Sequence, residues 1–284
     1  MTGVSPAAGT VDTAPAAHYD RVTDAWGLLL GADLHYGVFE GDEPLPVATH
    51  RLTTEMAAAA AFRAGDRFLD IGCGTGNSTR WVAAEYGVDA VGISTSRRGV
   101  ERAAERVRGQ AGAPVFEVRD GMRTGFPDRS FDRVWALESS HLMPDRGALV
   151  RECARVLRPG GRFALCDIVL TEPVPFRLLR ALRAEFALLH RVFGAARMET
   201  VDTYAQLAAA AGFEVDSRRD ISAAVRPTFA RWAANAETHR AEVTASIGAA
   251  AHREFAQSCD ILERMWDRGI LGYGILAAVR GAGA

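Results

Sequence analysis

Leu69-Asp70-Ile71-Gly72-Cys73-Gly74-Thr75-Gly76-Asn77 is the stretch that decides the fold. The segment 66–72 reads as a short buried strand, and a helix is expected to start near Asn77. Between them, glycines at three alternate positions let the backbone turn sharply with no Cβ in the way of a ligand. The helix behind the turn offers its N-terminal N–H groups and positive dipole end to something polar or anionic. Asp70 precedes the glycines, and the spacing is G-x-G-x-G rather than G-x-G-x-x-G. An acid at the strand end would repel a pyrophosphate and suits a ligand with a cationic amino-acid portion better.

Working outward, the sequence alternates strands and helices. On the N-terminal side a helix is expected over 19–30, a loop over 34–41 and a second helix over 46–62. On the C-terminal side come a strand at 90–93, a helix at 97–108, and strands at 115–118 and 131–137. A helix at 146–157 is stopped by Pro159-Gly160-Gly161, and a strand follows at 162–169. A long amphipathic helical region, 173–197, interrupts this rhythm. The rhythm resumes with a helix at 201–211 and a strand at 213–217; 228–268 reads as helical, and a last strand runs over 272–279. Short Gly-rich connections in such an alternation predict an α/β fold. The expected architecture is Rossmann-like and doubly wound, a mostly parallel seven-stranded sheet with a helical lid. The expected organisation is a mobile tail over 1–17, a helical cap segment over 18–62 and the core over 63–172. A lid insertion over 173–200 follows, and 201–284 completes the core with a C-terminal helical lid and the last strand.

Composition narrows the partners. The chain has 284 residues and a formal net charge of −2, so no strong field favours nucleic acid or an anionic membrane. No apolar run approaches the roughly 20 residues a bilayer-spanning helix needs. The N-terminus lacks the basic start and apolar centre of a secretory signal. Cys73, Cys153, Cys166 and Cys259 stand far apart without zinc spacing, and Cys153 and Cys166 read as small buried hydrophobes. No metal is implied. The expectation is a cytoplasmic protein with a small-molecule substrate, compatible with a homodimer.

The glycine turn resembles motif I of the class I S-adenosylmethionine-dependent methyltransferases. The resemblance implies that Asp70, Gly72 and Gly74 lie along the methionine part of the cofactor. In many such enzymes the second strand ends in an acid that grips the ribose; here it ends Ile93-Ser94-Thr95-Ser96, so Ser94 and Thr95 are the ribose candidates. That pattern resembles the small-molecule branch that includes natural-product sugar O-methyltransferases. By the same resemblance Asp120 accepts a hydrogen bond from the adenine amino group and Met122 packs on the ring. The loop holding His35, Tyr36 and Phe39 resembles the segment that folds over the cofactor, with Tyr36 assigned to the donor and His35 and Phe39 to the acceptor. Tyr19 is a weaker candidate of the same kind. Aromatic faces favour a sulfonium by a cation–π attraction of roughly 0.5–2 kcal/mol.

Methyl transfer is an in-line displacement that needs an aligned and, for a hydroxyl, deprotonated acceptor. His141 follows the fourth strand, at the edge where such sheets open into the ligand crevice, and an unperturbed pKa of about 6.5 suits a base at neutral pH. Asp167 closes the fifth strand at the same edge and is expected to orient it. The bland alternative makes His141 a cap of the following helix or a lining residue of the cofactor pocket. Glu138 is a third ionisable group there, assigned to the substrate. Arg177, Arg180 and Arg183 lie about one turn apart on the expected lid helix, where a solvated surface is the commoner meaning and an anionic substrate group the sharper one. The expectation is methyl transfer from S-adenosylmethionine to a hydroxyl of a small natural product, yielding S-adenosylhomocysteine. The alternatives are carbon methylation of an aromatic or prenyl acceptor, with or without a diphosphate, and a non-catalytic cofactor-binding protein.

Overall fold

In the computed structural model the described residues run from 14 to 282. The chain begins with α1 (Pro15–Leu29) and α2 (Leu45–Ala60), then alternates β1 (Arg67–Ile71), α3 (Asn77–Tyr86), β2 (Asp89–Ser94), α4 (Arg97–Val107), β3 (Val115–Val118) and β4 (Phe131–Leu137). After α5 (Arg146–Val156) and β5 (Leu157–Leu170) come the helices α6 (Phe176–Ala181) and α7 (Arg183–Phe193). The remainder is α8 (Val201–Ala210), β6 (Phe213–Asp220), α9 (Ser222–Val225), α10 (Thr228–Thr238), α11 (Arg240–Ile247), α12 (Ala249–Asp267) and β7 (Leu271–Arg280).

The seven strands form one sheet in the order β3-β2-β1-β4-β5-β7-β6. Neighbours from β3 to β5 pair in parallel, and β7 runs antiparallel to both β5 and β6. The strand order reverses between β1 and β4, and ligands of doubly wound sheets bind outside the carboxyl ends of the strands at such a point. Asp70 pairs with Gly92 on one side and Trp135 on the other, so the turns after these strands are brought together.

Period-two alternation splits the strand side chains between two apolar layers. Phe68, Trp135, Ala164, Cys166 and Tyr273 join one core cluster with α1, α2, α7, α10 and α12. Leu69, Val134, Phe163 and Leu165 point the other way, into a cluster with α5 and α8. The helical cover over the first layer is the lid expected from the sequence.

Two boundaries differ from expectation. Residues 1–13 of the expected tail lie outside the described residues, and Pro15–Ala17 already belong to α1. Proline stands at the first turn of that helix, where its fixed φ and missing N–H cost nothing. The lid insertion is two helices rather than one. The backbone leaves helical geometry at Leu182 (φ −98°, ψ 18°), which buries that side chain and leaves α6 without a single buried residue.

Candidate active site

The turns after β1, β2, β3 and β4 surround a cavity of about 330 Å³. Asp70, Gly72 and Gly74 line it from the first turn, Ser94 and Thr95 from the second, Asp120 and Met122 from the third. His35 and Glu138 also face it. Gly72 sits at φ 89°, and a Cβ there would stand 2.1 Å from Ser139 Cβ, so only glycine lets Ser139 Oγ donate to the Ile71 carbonyl at 2.6 Å. Gly74, at φ 54°, meets nothing closer than Leu34 Cδ1 at 3.9 Å; its absent Cβ leaves bare backbone toward the cavity.

Asp70 is 3% exposed and accepts a hydrogen bond from Thr79 Oγ1 at 2.6 Å. Burial raises its carboxyl to about 6, against the opposing pull of that bond. A ligand that brings a positive charge therefore favours the ionised form. The N-terminal loop closes one side of the same cavity. Asn77 Nδ2 donates to Asp33 Oδ1 at 2.6 Å, tying the loop to the start of α3. His35 Nδ1 donates to the Tyr36 carbonyl at 2.8 Å, and burial lowers its pKa, so the ring is neutral and structural in this position.

A second, smaller cavity of about 70 Å³ lies beneath the helical cover. Its walls are Tyr36, Ile168, Phe186, Leu189, Phe193 and Trp232 with further apolar side chains, and two imidazoles line it, His190 from α7 and His141 from the sheet edge. Tyr19, Leu34 and Glu138 line both cavities and form the partition between them.

His141 stands in a short 3₁₀ turn, Ser140–Leu142, directly after β4. Its Nδ1 lies 2.6 Å from Asp167 Oδ1, at the matching end of β5. Asp167 is fully buried. It also accepts from the His141 backbone N–H at 3.0 Å, from the Ile168 N–H at 2.8 Å, and from Ser140 Oγ, which in turn meets Tyr204 OH at 2.7 Å. With both carboxylate oxygens held, Asp167 fixes the imidazole so that Nδ1 carries the proton. Nε2 makes no hydrogen bond among the described residues and belongs to a ring facing the second cavity.

Glu138, one residue beyond β4, adopts φ 47°, a left-handed conformation costly for a side chain with a Cβ and one that collects at functional sites. Its Oε1 accepts from the Tyr36 backbone N–H at 2.6 Å and from Tyr273 OH. Burial pushes its pKa well above the usual carboxylate range.

Most sequence candidates thus converge, but five do not sit where expected. His35, expected at the acceptor, lines the first cavity and not the second, because its ring is held down by the Tyr36 carbonyl. Tyr36 faces the second cavity, edge-on to Trp232 and stacked near Trp266, rather than the first. Phe39 lines neither cavity; it packs in the core under the Arg231 guanidinium, 5.8 Å from its ring centroid. Arg177 and Arg180 also line neither, because α6 turns both outward to solvent. Sequence reasoning missed Asp33, Ser140, Tyr204 and Tyr273. Ser140 adjoins His141, and Tyr273 lies between Gly272 and Gly274, but nothing in the sequence pairs Tyr273 with a residue 135 positions earlier.

Residues 69–165 match a family model described as a methyltransferase domain. The 27-O-demethylrifamycin SV methyltransferase of Amycolatopsis mediterranei is 38% identical over 264 residues, spanning 92% of this chain and 94% of that protein. Methyltransferase GfsG of Streptomyces halstedii is 35% identical over 216 residues, 74% of this chain and 76% of its own. Among solved structures, the [4+2]-cyclase SpnF matches with a TM-score of 0.81 at 27% identity, covering 96% of this chain and 98% of that one. The cyclopropane synthase MmaA2 of Mycobacterium tuberculosis reaches 0.84 at 18% identity and covers 97% and 100%, a likeness of fold alone. The chain belongs to the class I S-adenosylmethionine-dependent methyltransferases. Within that class it is an enzyme of the natural-product branch. No helix among the described residues is long and apolar enough to cross a membrane.

Proposed function

We propose that the protein methylates a hydroxyl oxygen of a small natural product seated in the second cavity, with His141 as general base. The carrying observation is the 2.6 Å contact from His141 Nδ1 to Asp167, which leaves Nε2 as the unpartnered nitrogen of a ring facing that cavity. S-Adenosylmethionine fits the first cavity: Gly74 offers bare backbone, Asp70 receives the amino group, Ser94 and Thr95 the ribose, Asp120 and Met122 the adenine. When bound, it supplies an electrophilic methyl group on a sulfonium.

The chain's own residues supply the rest. His141 Nε2 accepts the acceptor's hydroxyl proton as the oxygen–carbon bond forms and the sulfur–carbon bond breaks. Asp167 holds the imidazole in one tautomer and stabilises the imidazolium, its own position set by Ser140 and two backbone N–H groups. Phe186, Phe193 and Trp232 surround the acceptor and keep water from competing for the proton. The products are the methylated acceptor and S-adenosylhomocysteine. Carbon methylation of a diphosphate-bearing acceptor lacks an anchor, because no arginine lines the second cavity.

His141→Gln tests the base. Turnover on the true acceptor is expected to fall about 10²–10⁴-fold while affinity for S-adenosylhomocysteine stays within about twofold. Near wild-type turnover would remove His141 from the mechanism.

A further inference from the structure

The partition between the two cavities contains a carboxyl group whose second oxygen has no role so far. Glu138 Oε1 is saturated by the Tyr36 N–H and the Tyr273 hydroxyl, whereas Oε2 accepts no hydrogen bond among the described residues. The residue keeps part of its surface open onto both cavities, and any methyl group moving from one to the other passes it. The strained φ of 47° holds the side chain there, since relaxing it would break both Oε1 bonds.

The surroundings decide what charge this spot receives. The titratable groups facing Glu138 are Tyr19 of α1, Tyr36 of the N-terminal loop, Cys166 and Asp167 of β5, Tyr273 of β7 and His141 from its own turn. Two acids and three phenols meet there, against one guanidinium, Arg219 of β6, which acts on Cys166; His190 of α7 also lines the second cavity and Arg119 the first. The partition itself offers acceptors and π faces to a cation.

We propose that Glu138 is the counter-ion of the positive charge on the methyl donor, so that the site prefers the cationic donor to the product that has lost that charge. The proposal rests on the assignment of the first cavity to S-adenosylmethionine. Asp70 does not create the preference, because donor and product share the amino-acid portion it meets. The sulfonium distinguishes them, and of the three partition residues, Tyr19, Leu34 and Glu138, Glu138 is the one that carries a carboxyl group. Burial raises the Glu138 carboxyl above its ordinary range, so an arriving cation favours loss of its proton and the uncharged product does not. Donor affinity therefore rises with pH, by up to tenfold per unit, and product affinity does not follow at this group.

Calorimetry on the full chain tests this with two non-reacting probes. Sinefungin carries an ammonium in the sulfonium position, and S-adenosylhomocysteine carries no charge there. Titration in buffers of different ionisation enthalpy counts the protons released. The expected result is about one more proton released by sinefungin than by S-adenosylhomocysteine, with the excess absent in Glu138→Gln. The same variant, which keeps an Oε1 acceptor for Tyr36 and Tyr273, is expected to bind sinefungin at least tenfold more weakly and S-adenosylhomocysteine within threefold of wild type. Equal proton counts for the two probes, or an equal loss of affinity for both in Glu138→Gln, would overturn the role of Glu138 while leaving the donor site intact. Failure of wild-type protein to bind either probe would overturn the donor site and this role together.

Discussion

The first cavity has a floor of turns that each follow a strand within a few residues, closed over by α1 and the N-terminal loop, whereas the second, the proposed acceptor site, draws its walls from α1, the same loop, β5, α7, α10 and α12. In the first, a residue's function follows from its place just beyond a strand end. In the second, side chains become neighbours only through packing of helices remote in the chain. On the proposed assignment, cofactor chemistry is encoded locally and acceptor choice globally.

The largest expected effect breaks the local half. Gly72→Val places a branched side chain at φ 89° and into Ser139, so affinity for S-adenosylhomocysteine is expected to fall at least about 100-fold by calorimetry. Unchanged affinity would mean the turn does not contact the ligand.

A smaller effect separates the halves by pH. The Asp70 carboxyl rises from 3.8 to about 6 in the folded protein, a difference worth about 3 kcal/mol. The native state therefore holds this proton more tightly than the unfolded chain. Its stabilisation is complete below pH 3.8 and is lost as pH rises through about 6. Thermal midpoints of the ligand-free protein should show this decline between those limits, and Asp70→Asn should flatten that part of the profile. S-Adenosylhomocysteine should offset the decline in wild type by bringing its ammonium to Asp70.

The smallest effect sharpens the global half. Phe186→Ala removes a wall of the second cavity and is expected to raise the acceptor KM about tenfold with donor affinity unchanged. Arg177→Ala with Arg180→Ala, on the solvent face of α6, should leave both quantities within about twofold. A reversed pattern would relocate the acceptor to α6.

What the sequence made legible follows the same division. The βα rhythm, the seven strands and the convergence of Asp70, Gly72, Gly74, Ser94, Thr95, Asp120 and Met122 on one cavity are legible because glycines, strand ends and capping signals are contiguous. The nearness of His141 to Asp167 is legible because parallel pairing of β4 with β5 sets the turn after one beside the end region of the other. Tyr36 and Phe39 were placed on the wrong surfaces because a loop's facing depends on what packs over it, here α10 with Phe229, Trp232 and Arg231. The arginine stripe misled because helical spacing reports which residues share a face and not where that face points. Proline at the start of α1 was a usable signal that the tail reading passed over.

The 70 Å³ beneath the helical cover has one further consequence. Pockets that bury drug-sized molecules run to roughly 300–1,000 Å³. An aromatic or macrocyclic guest therefore has no room until α7 or α10 swings aside, and the arrangement described is the shut position of a door. On the proposed assignment, opening of the cover then precedes each turnover, and solvent viscosity joins proton transfer among the quantities that set the rate.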